Sequence, residues 1–370
     1  MPKILIALFA ALLLAACGEK TITKPPADGA GVGMTHRDYE DALRLSWDRR
    51  RARPLSTTIW YPADKTAKMS EIAFPADAPV FAGGWAAQDA ALAEGGKRPL
   101  VVLSHGEGGS ALQMMWLGRQ LAADGFIVAA VDHHGTTSAE ASFDARGFMM
   151  PWERARDISA MIDELLKDPQ FGAAIDETKI YGAGYSAGGY AMTALAGGLT
   201  SLSQFEKFCA GKDRDATCEP QAEFPYAADQ FETMLQEAPS MRVTLAEHKA
   251  SFKDPRIKSF VLIAPTMAQA VTDDSLLKIT APVLVIAGDA DARAPIETNA
   301  NRLAKKIRTS QFQNIAGARH NSFLDPCSKK GAKRLADCKD LKGFNRAAAH
   351  QQVAERAAQF FRETDGSIRP

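Results

Sequence analysis

One serine stands among small residues in Gly184-Tyr185-Ser186-Ala187-Gly188, directly after an apolar run ending Lys179-Ile180-Tyr181-Gly182 and before Gly189-Tyr190-Ala191-Met192-Thr193-Ala194. That order predicts a strand, a sharp turn and a helix. Such a turn holds its serine in strained backbone geometry with the hydroxyl presented, and the glycines two before and two after stand where a Cβ would meet the neighbouring strand and helix. A serine hydroxyl becomes a nucleophile only if a base takes its proton and fixed donors hold the negative oxygen that its attack creates.

Candidate donors lie upstream in Pro99-Leu100-Val101-Val102-Leu103-Ser104-His105-Gly106-Glu107-Gly108-Gly109, a short apolar strand running into a glycine-rich loop. The backbone N–H groups of Glu107 and Ala187 are the expected oxyanion pair. Downstream, Ala281-Pro282-Val283-Leu284-Val285-Ile286-Ala287 reads as a strand that ends in Gly288-Asp289-Ala290-Asp291. A carboxylate just past a parallel strand's carboxyl end sits where such sheets place their sites. Asp291 is the expected acid, and Asp289 is expected to stabilise the turn.

Of the histidines His36, His105, His133, His134, His248, His320 and His350, only His320 sits in a loop after the last expected strand, 311–315. His350 falls within a helical pattern over 344–361. The adjacent His133 and His134 have no third ligand at metal-binding spacing, so no metal is expected. The order serine, acid, histidine is that of the α/β-hydrolase fold. Ser186 would attack an ester carbonyl, His320 would take and return its proton, and Asp291 would orient the imidazole, giving hydrolysis in two steps through an acyl-enzyme.

A longer set of motifs resembles a family. Thr57-Thr58-Ile59-Trp60-Tyr61-Pro62, Leu103-Ser104-His105-Gly106, Val131-Asp132-His133, Glu153-Arg154-Ala155-Arg156-Asp157, Gly184-Tyr185-Ser186-Ala187-Gly188-Gly189, His320 and Phe323-Leu324-Asp325-Pro326-Cys327 together resemble the bacterial predicted dienelactone hydrolases, relatives of platelet-activating factor acetylhydrolases. The resemblance spans 32 to the C-terminus and implies ester hydrolysis without a cofactor. The chain departs from it twice. Dienelactone hydrolases carry a cysteine where Ser186 stands, and Glu107 occupies a position that is usually apolar.

The elements that must position these residues alternate as strand 100–104, helix 114–124, strand 126–131, helix 152–167 and strand 179–182, which predicts a mostly parallel sheet with helices on both faces. Ile158, Ile162 and Leu165 recur at helical spacing and are expected core. The alternation breaks over about 198–255, longer than an ordinary connection. Its Phe205, Phe208, Phe224, Tyr226, Phe231 and Met234 are expected to form a lid over an apolar acyl group, with an inserted surface subdomain packed around its own small core as the alternative. Arg49-Arg50-Arg51 is read as a solvated hairpin rather than a polyanion site.

With 46% hydrophobic and 24% charged residues in 370, the chain is neither disordered nor a membrane bundle. Forty-four basic residues balance forty-four acidic ones, so no net field favours nucleic acid. Residues 1–17 have the positive-then-apolar order of a secretory signal, and Leu14-Ala15-Ala16-Cys17 resembles a lipobox with Cys17 as lipidation site and membrane anchor. Residues 18–33, rich in proline and glycine, read as a tether ahead of a catalytic domain over 34–370. Gly18 resembles the outer-membrane sorting pattern, so the domain is expected in the cell envelope, facing the periplasm or on the surface. The remaining cysteines suit an oxidising compartment, and proximity favours Cys209 with Cys218 and Cys327 with Cys338. The reading is a serine carboxylic-ester hydrolase acting on a small-molecule or lipid ester. A phospholipase A2-like acylhydrolase and a non-catalytic binding protein of the same fold are its alternatives.

Overall fold

The computed structural model describes residues 31–238 and 241–365, and Cys17 with the rest of the expected leader lies outside them. The strands are β1 (Val32–Leu45), β2 (Ala52–Pro62), β3 (Ser70–Phe74), β4 (Phe81–Gln88), β5 (Arg98–Ser104), β6 (Ile127–Val131), β7 (Ile175–Tyr185), β8 (Ile257–Ile263), β9 (Val283–Gly288) and β10 (Ser310–Ile315). They form one sheet in the order β10-β9-β8-β7-β5-β6-β2-β1-β4-β3. From β6 to β10 neighbours run parallel, whereas β2 pairs antiparallel with both β6 and β1.

Alternation along β5 sends Leu100 and Val102 to one face and Val101 and Leu103 to the other, and all four are buried. The helices Met115–Ala123 and Arg346–Thr364 cover the second face through Leu117, Leu121, Val353 and Phe361. The helices Glu153–Leu165, Ala187–Ala196 and Ala300–Lys306 cover the first, and Ile158, Ile162 and Leu165 are core as their spacing predicts. Because β6 and β7 flank β5 on opposite sides, the connections diverge at β5 and open a crevice at the carboxyl ends of β5 and β7.

Two expectations need correction. The tether over 18–33 runs too far, because β1 starts at Val32 and Gly33 is paired with Tyr61; a Cβ on Gly33 would stand 2.3 Å from the Tyr61 ring. The insertion between β7's helix and β8 folds into the helices Leu202–Cys209, Ala227–Glu237 and Met241–Ala246. Its Phe231 is buried with Trp152 and Leu235, Phe224 and Met234 pack beside them, and Tyr226 is exposed. None of the six apolar residues expected to cradle an acyl group lines the crevice at Ser186. Inserted amphipathic helices bury their own apolar stripe first. The disulfides Cys209–Cys218 and Cys327–Cys338 are both formed.

Candidate active site

Ser186 joins β7 to the helix Ala187–Ala196 with φ 56° and ψ −119°, a conformation that a residue with a Cβ rarely adopts. Its surroundings hold it there. The Ser186 N–H donates to the Ile263 carbonyl at 2.9 Å, and the Gly189 and Thr266 N–H groups donate to the Ser186 carbonyl at 2.8 and 3.3 Å. The two flanking glycines are steric necessities, since a Cβ on Gly184 would lie 2.2 Å from the Gly188 carbonyl oxygen and one on Gly188 2.0 Å from that of Ser104.

His320 begins a 3-10 turn, His320–Phe323, after β10. Its Nε2 lies 2.9 Å from Ser186 Oγ and its Nδ1 2.7 Å from Asp291 Oδ2. A carboxylate only accepts, so Nδ1 carries the proton and Nε2 is free to accept from the serine. Asp291 is itself fixed, its Oδ1 accepting the Arg293 and Ala294 N–H groups at 2.9 and 2.8 Å. Asp289 takes the turn role, accepting from Asn314 Nδ2 at 3.0 Å and the Gly317 N–H at 2.7 Å. No sequence signal marks Tyr185 for a role, yet its hydroxyl donates towards the His320 carbonyl at 3.2 Å and Asn321 Oδ1 at 3.0 Å. Burial, reinforced by nearby Asp291, pushes this phenol well above its ordinary pKa, so it stays a neutral donor anchoring the histidine loop.

The loop after β5 packs directly on the serine, since a Cβ on Gly106 would stand 2.9 Å from the Tyr185 ring and 3.2 Å from Ser186 Cβ. His105 Nε2 accepts the His133 N–H at 3.1 Å, which leaves Nδ1–H to donate to the Gly106 carbonyl at 2.7 Å. Burial, with His133 and Arg154 adding to it, holds this imidazole well below its ordinary pKa and therefore neutral. Ala187 is the first residue of its helix, so its N–H has no intrahelical acceptor. Glu107 and Ala187 both line the cleft that holds Ser186 and His320.

That cleft has a volume of about 310 Å³. Glu107, Gln113, Glu223, Arg293, Asn321 and Asp337 give it a polar wall, beside Met267 and Leu324. The segment from Ala216 to Glu223 forms one side and is pinned by an Arg293–Glu223 ion pair at 2.7 Å.

The sequence profile of the Alpha/beta hydrolase family matches residues 101–328, and the chain belongs to that family. A ferulic acid esterase from Streptomyces cinnamoneus has the same fold, with a TM-score of 0.58 at 20% identity over 93% of this chain and 92% of that chain. A putative non-heme chloroperoxidase from Synechocystis sp. is 47% identical over 47 residues, which is 13% of this chain and 17% of that relative's length.

Proposed function

We propose that this chain is a serine carboxylic-ester hydrolase working through an acyl-enzyme on Ser186. The observation that carries the reading is the continuous relay Asp291–His320–Ser186, at 2.7 and 2.9 Å, ending on a strained serine inside a cleft. Ser186 Oγ attacks the ester carbonyl while its proton passes to His320 Nε2, and the carbonyl oxygen turns negative under the Ala187 and Glu107 N–H groups. Collapse breaks the ester C–O bond, and the alcohol leaves with the proton from His320. Water then repeats the sequence, giving its proton to His320 and releasing the acid and free Ser186. Turnover of p-nitrophenyl acetate together with fluorophosphonate labelling of Ser186 tests this. A purified protein that does neither is the binding protein of the alternative reading.

The polar cleft favours esters with short acyl groups over long-chain lipids, because few apolar side chains are there to receive a chain. Kinship with the dienelactone hydrolase-like proteins, and with the phospholipid acylhydrolases among their relatives, rests on the motifs quoted above. A series of p-nitrophenyl esters beside a short-chain phospholipid separates the two substrate classes. We further propose that the protein is exported and carries lipid at Cys17. The lipobox and the two disulfides, which persist in oxidising compartments, support this. The mass of membrane-extracted protein should match a chain beginning at a lipidated Cys17, and a soluble mature form without lipid would refute it.

A further inference from the structure

The oxyanion loop carries a charged residue, and its counter-ion lies underneath it. Arg154, on the helix Glu153–Leu165, is buried and donates through Nη1 to the His105 carbonyl at 2.8 Å and through Nη2 to Thr136 Oγ1 at 2.9 Å. Nη2 also lies 3.5 Å from the Gly106 carbonyl oxygen and 3.4 Å from Glu107 Oε1. Thr136 Oγ1 donates to the same Glu107 oxygen at 2.6 Å. Among the described residues Arg154 and Glu107 form no ion pair except with each other. Burial pushes the Glu107 carboxyl pKa up while Arg154 and Thr136 oppose that shift.

The peptide between Gly106 and Glu107 makes this arrangement consequential. Its carbonyl oxygen is held by His105 Nδ1 at 2.7 Å, by the Gly109 N–H at 3.2 Å and, at the edge of reach, by Arg154. In a planar trans peptide the N–H points opposite to the C=O. Anchoring that carbonyl therefore aims the Glu107 N–H away from it. We propose that Arg154 and the Glu107 carboxylate are a positioning pair that fixes the orientation of this peptide and so of the oxyanion donor. The inference rests on the serine-hydrolase reading above. It also accounts for glutamate at a usually apolar position, since an apolar residue would leave the Arg154 guanidinium buried without a counter-ion.

The test combines R154M, R154K, E107A, E107Q and the double variant R154M/E107Q, with two readouts on each. One is kcat and KM on p-nitrophenyl acetate, per site titrated with fluorophosphonate. The other is the Ki of a boronic acid that adds to Ser186 as a tetrahedral anion. A misaimed donor weakens tetrahedral species and not the ground state, so R154M should lose about 10- to 100-fold in kcat with KM within about threefold. Boronate affinity should fall by the same factor. E107A should lose about tenfold, E107Q and R154K should recover part of the losses, and all five should move kcat and Ki together. The double variant removes both buried charges, which should restore thermal stability towards wild type while leaving kcat low. Wild-type kcat and Ki in the double variant would overturn the proposal, as would a loss confined to the number of titratable sites. Wild-type protein that fluorophosphonate does not label would instead bring down the hydrolase reading itself.

Discussion

Among the described residues, two Ser–His–Asp chains have nearly equal geometry, and one of the two opens on a cleft. His320 bridges Ser186 and Asp291 at 2.9 and 2.7 Å, while His133 bridges Ser104 and Asp157 at 2.8 and 3.1 Å. Ser104 is the last residue of β5, in register with Val131 and Gly184, and 0% exposed. Ser186 stands at positive φ on the cleft wall, 7% exposed. Their carboxylates differ as much. Asp291 accepts two backbone N–H groups beyond its histidine, whereas Asp157 is shared with the guanidinium groups of Arg53 at 2.6 Å and Arg44 at 2.7 Å. Burial, with Arg154 adding to it, pushes the His133 pKa down to about 4. Its imidazole is therefore a poor proton acceptor near neutrality, and the charge of Asp157 is already committed. Residue types and distances alone do not make a nucleophile. On the proposed reading, access, backbone strain and a carboxylate free of guanidinium partners set Ser186 apart.

The sharpest break in the comparison comes from the two serines. S186A should lose on the order of 10⁴- to 10⁶-fold in kcat and all fluorophosphonate labelling at an unchanged melting temperature. S104A should keep kcat within about tenfold and lose about 1–3 kcal/mol of stability, because the His133 Nε2 acceptor is left buried without a donor. Unfolding curves and labelling mass spectra of both variants decide it. Loss of labelling in S104A with the fold intact would reverse the roles assigned here.

The acids should separate in the same way. D291N should lower kcat about 10³- to 10⁴-fold, since an amide no longer holds the imidazole in the required tautomer. D289N should leave kcat within a few-fold, about 1 kcal/mol less stable. D157N leaves Arg53 in the interior without a carboxylate partner, while Arg44 keeps Asp41 and Glu153, and should destabilise by about 3–5 kcal/mol, with little change in kcat per titrated site. If D289N is the variant that loses kcat at an unchanged melting temperature, the two aspartates of the loop are exchanged.

The smallest effect is a pH slope. Between about 4, where folded His133 titrates, and the ordinary value of 6.5, the unfolded chain binds a proton that the folded chain refuses. Its contribution to stability is therefore complete above 6.5 and falls as pH drops towards 4. H133N should lose that part of the slope, at most about 1.4 kcal/mol per pH unit, measured by denaturant titration across the window. Buried His105 and His350 act in the same direction, and buried Asp325, pushed well above its ordinary pKa, acts against them, so the difference between variant and wild type is the quantity to read. Identical slopes in both would show that His133 stays accessible to protons when folded.

What depends on neighbours along the chain is legible in the amino-acid order alone. Small residues around Ser186 dictate the turn, and the run 281–287 ends in the loop that carries Asp289 and Asp291. The position of His320 after the last strand follows from order alone. Each of these is local because a parallel sheet delivers successive loops to one edge, so chain order becomes spatial adjacency. The two disulfides were legible for the same reason, each closing a short loop. Which side chains meet beneath that edge is set by packing between elements. Arg154 reaches Glu107 from 47 residues away, and Asp157 gathers Arg44, Arg53 and His133 from separate elements. No periodicity marks these pairings, because they are set by helix phase against the sheet and by the need of each buried charge for a partner. The aromatics of the insertion failed as a guide for a related reason. Apolar side chains report burial, and only packing decides whether they are buried against substrate or, as here, against each other.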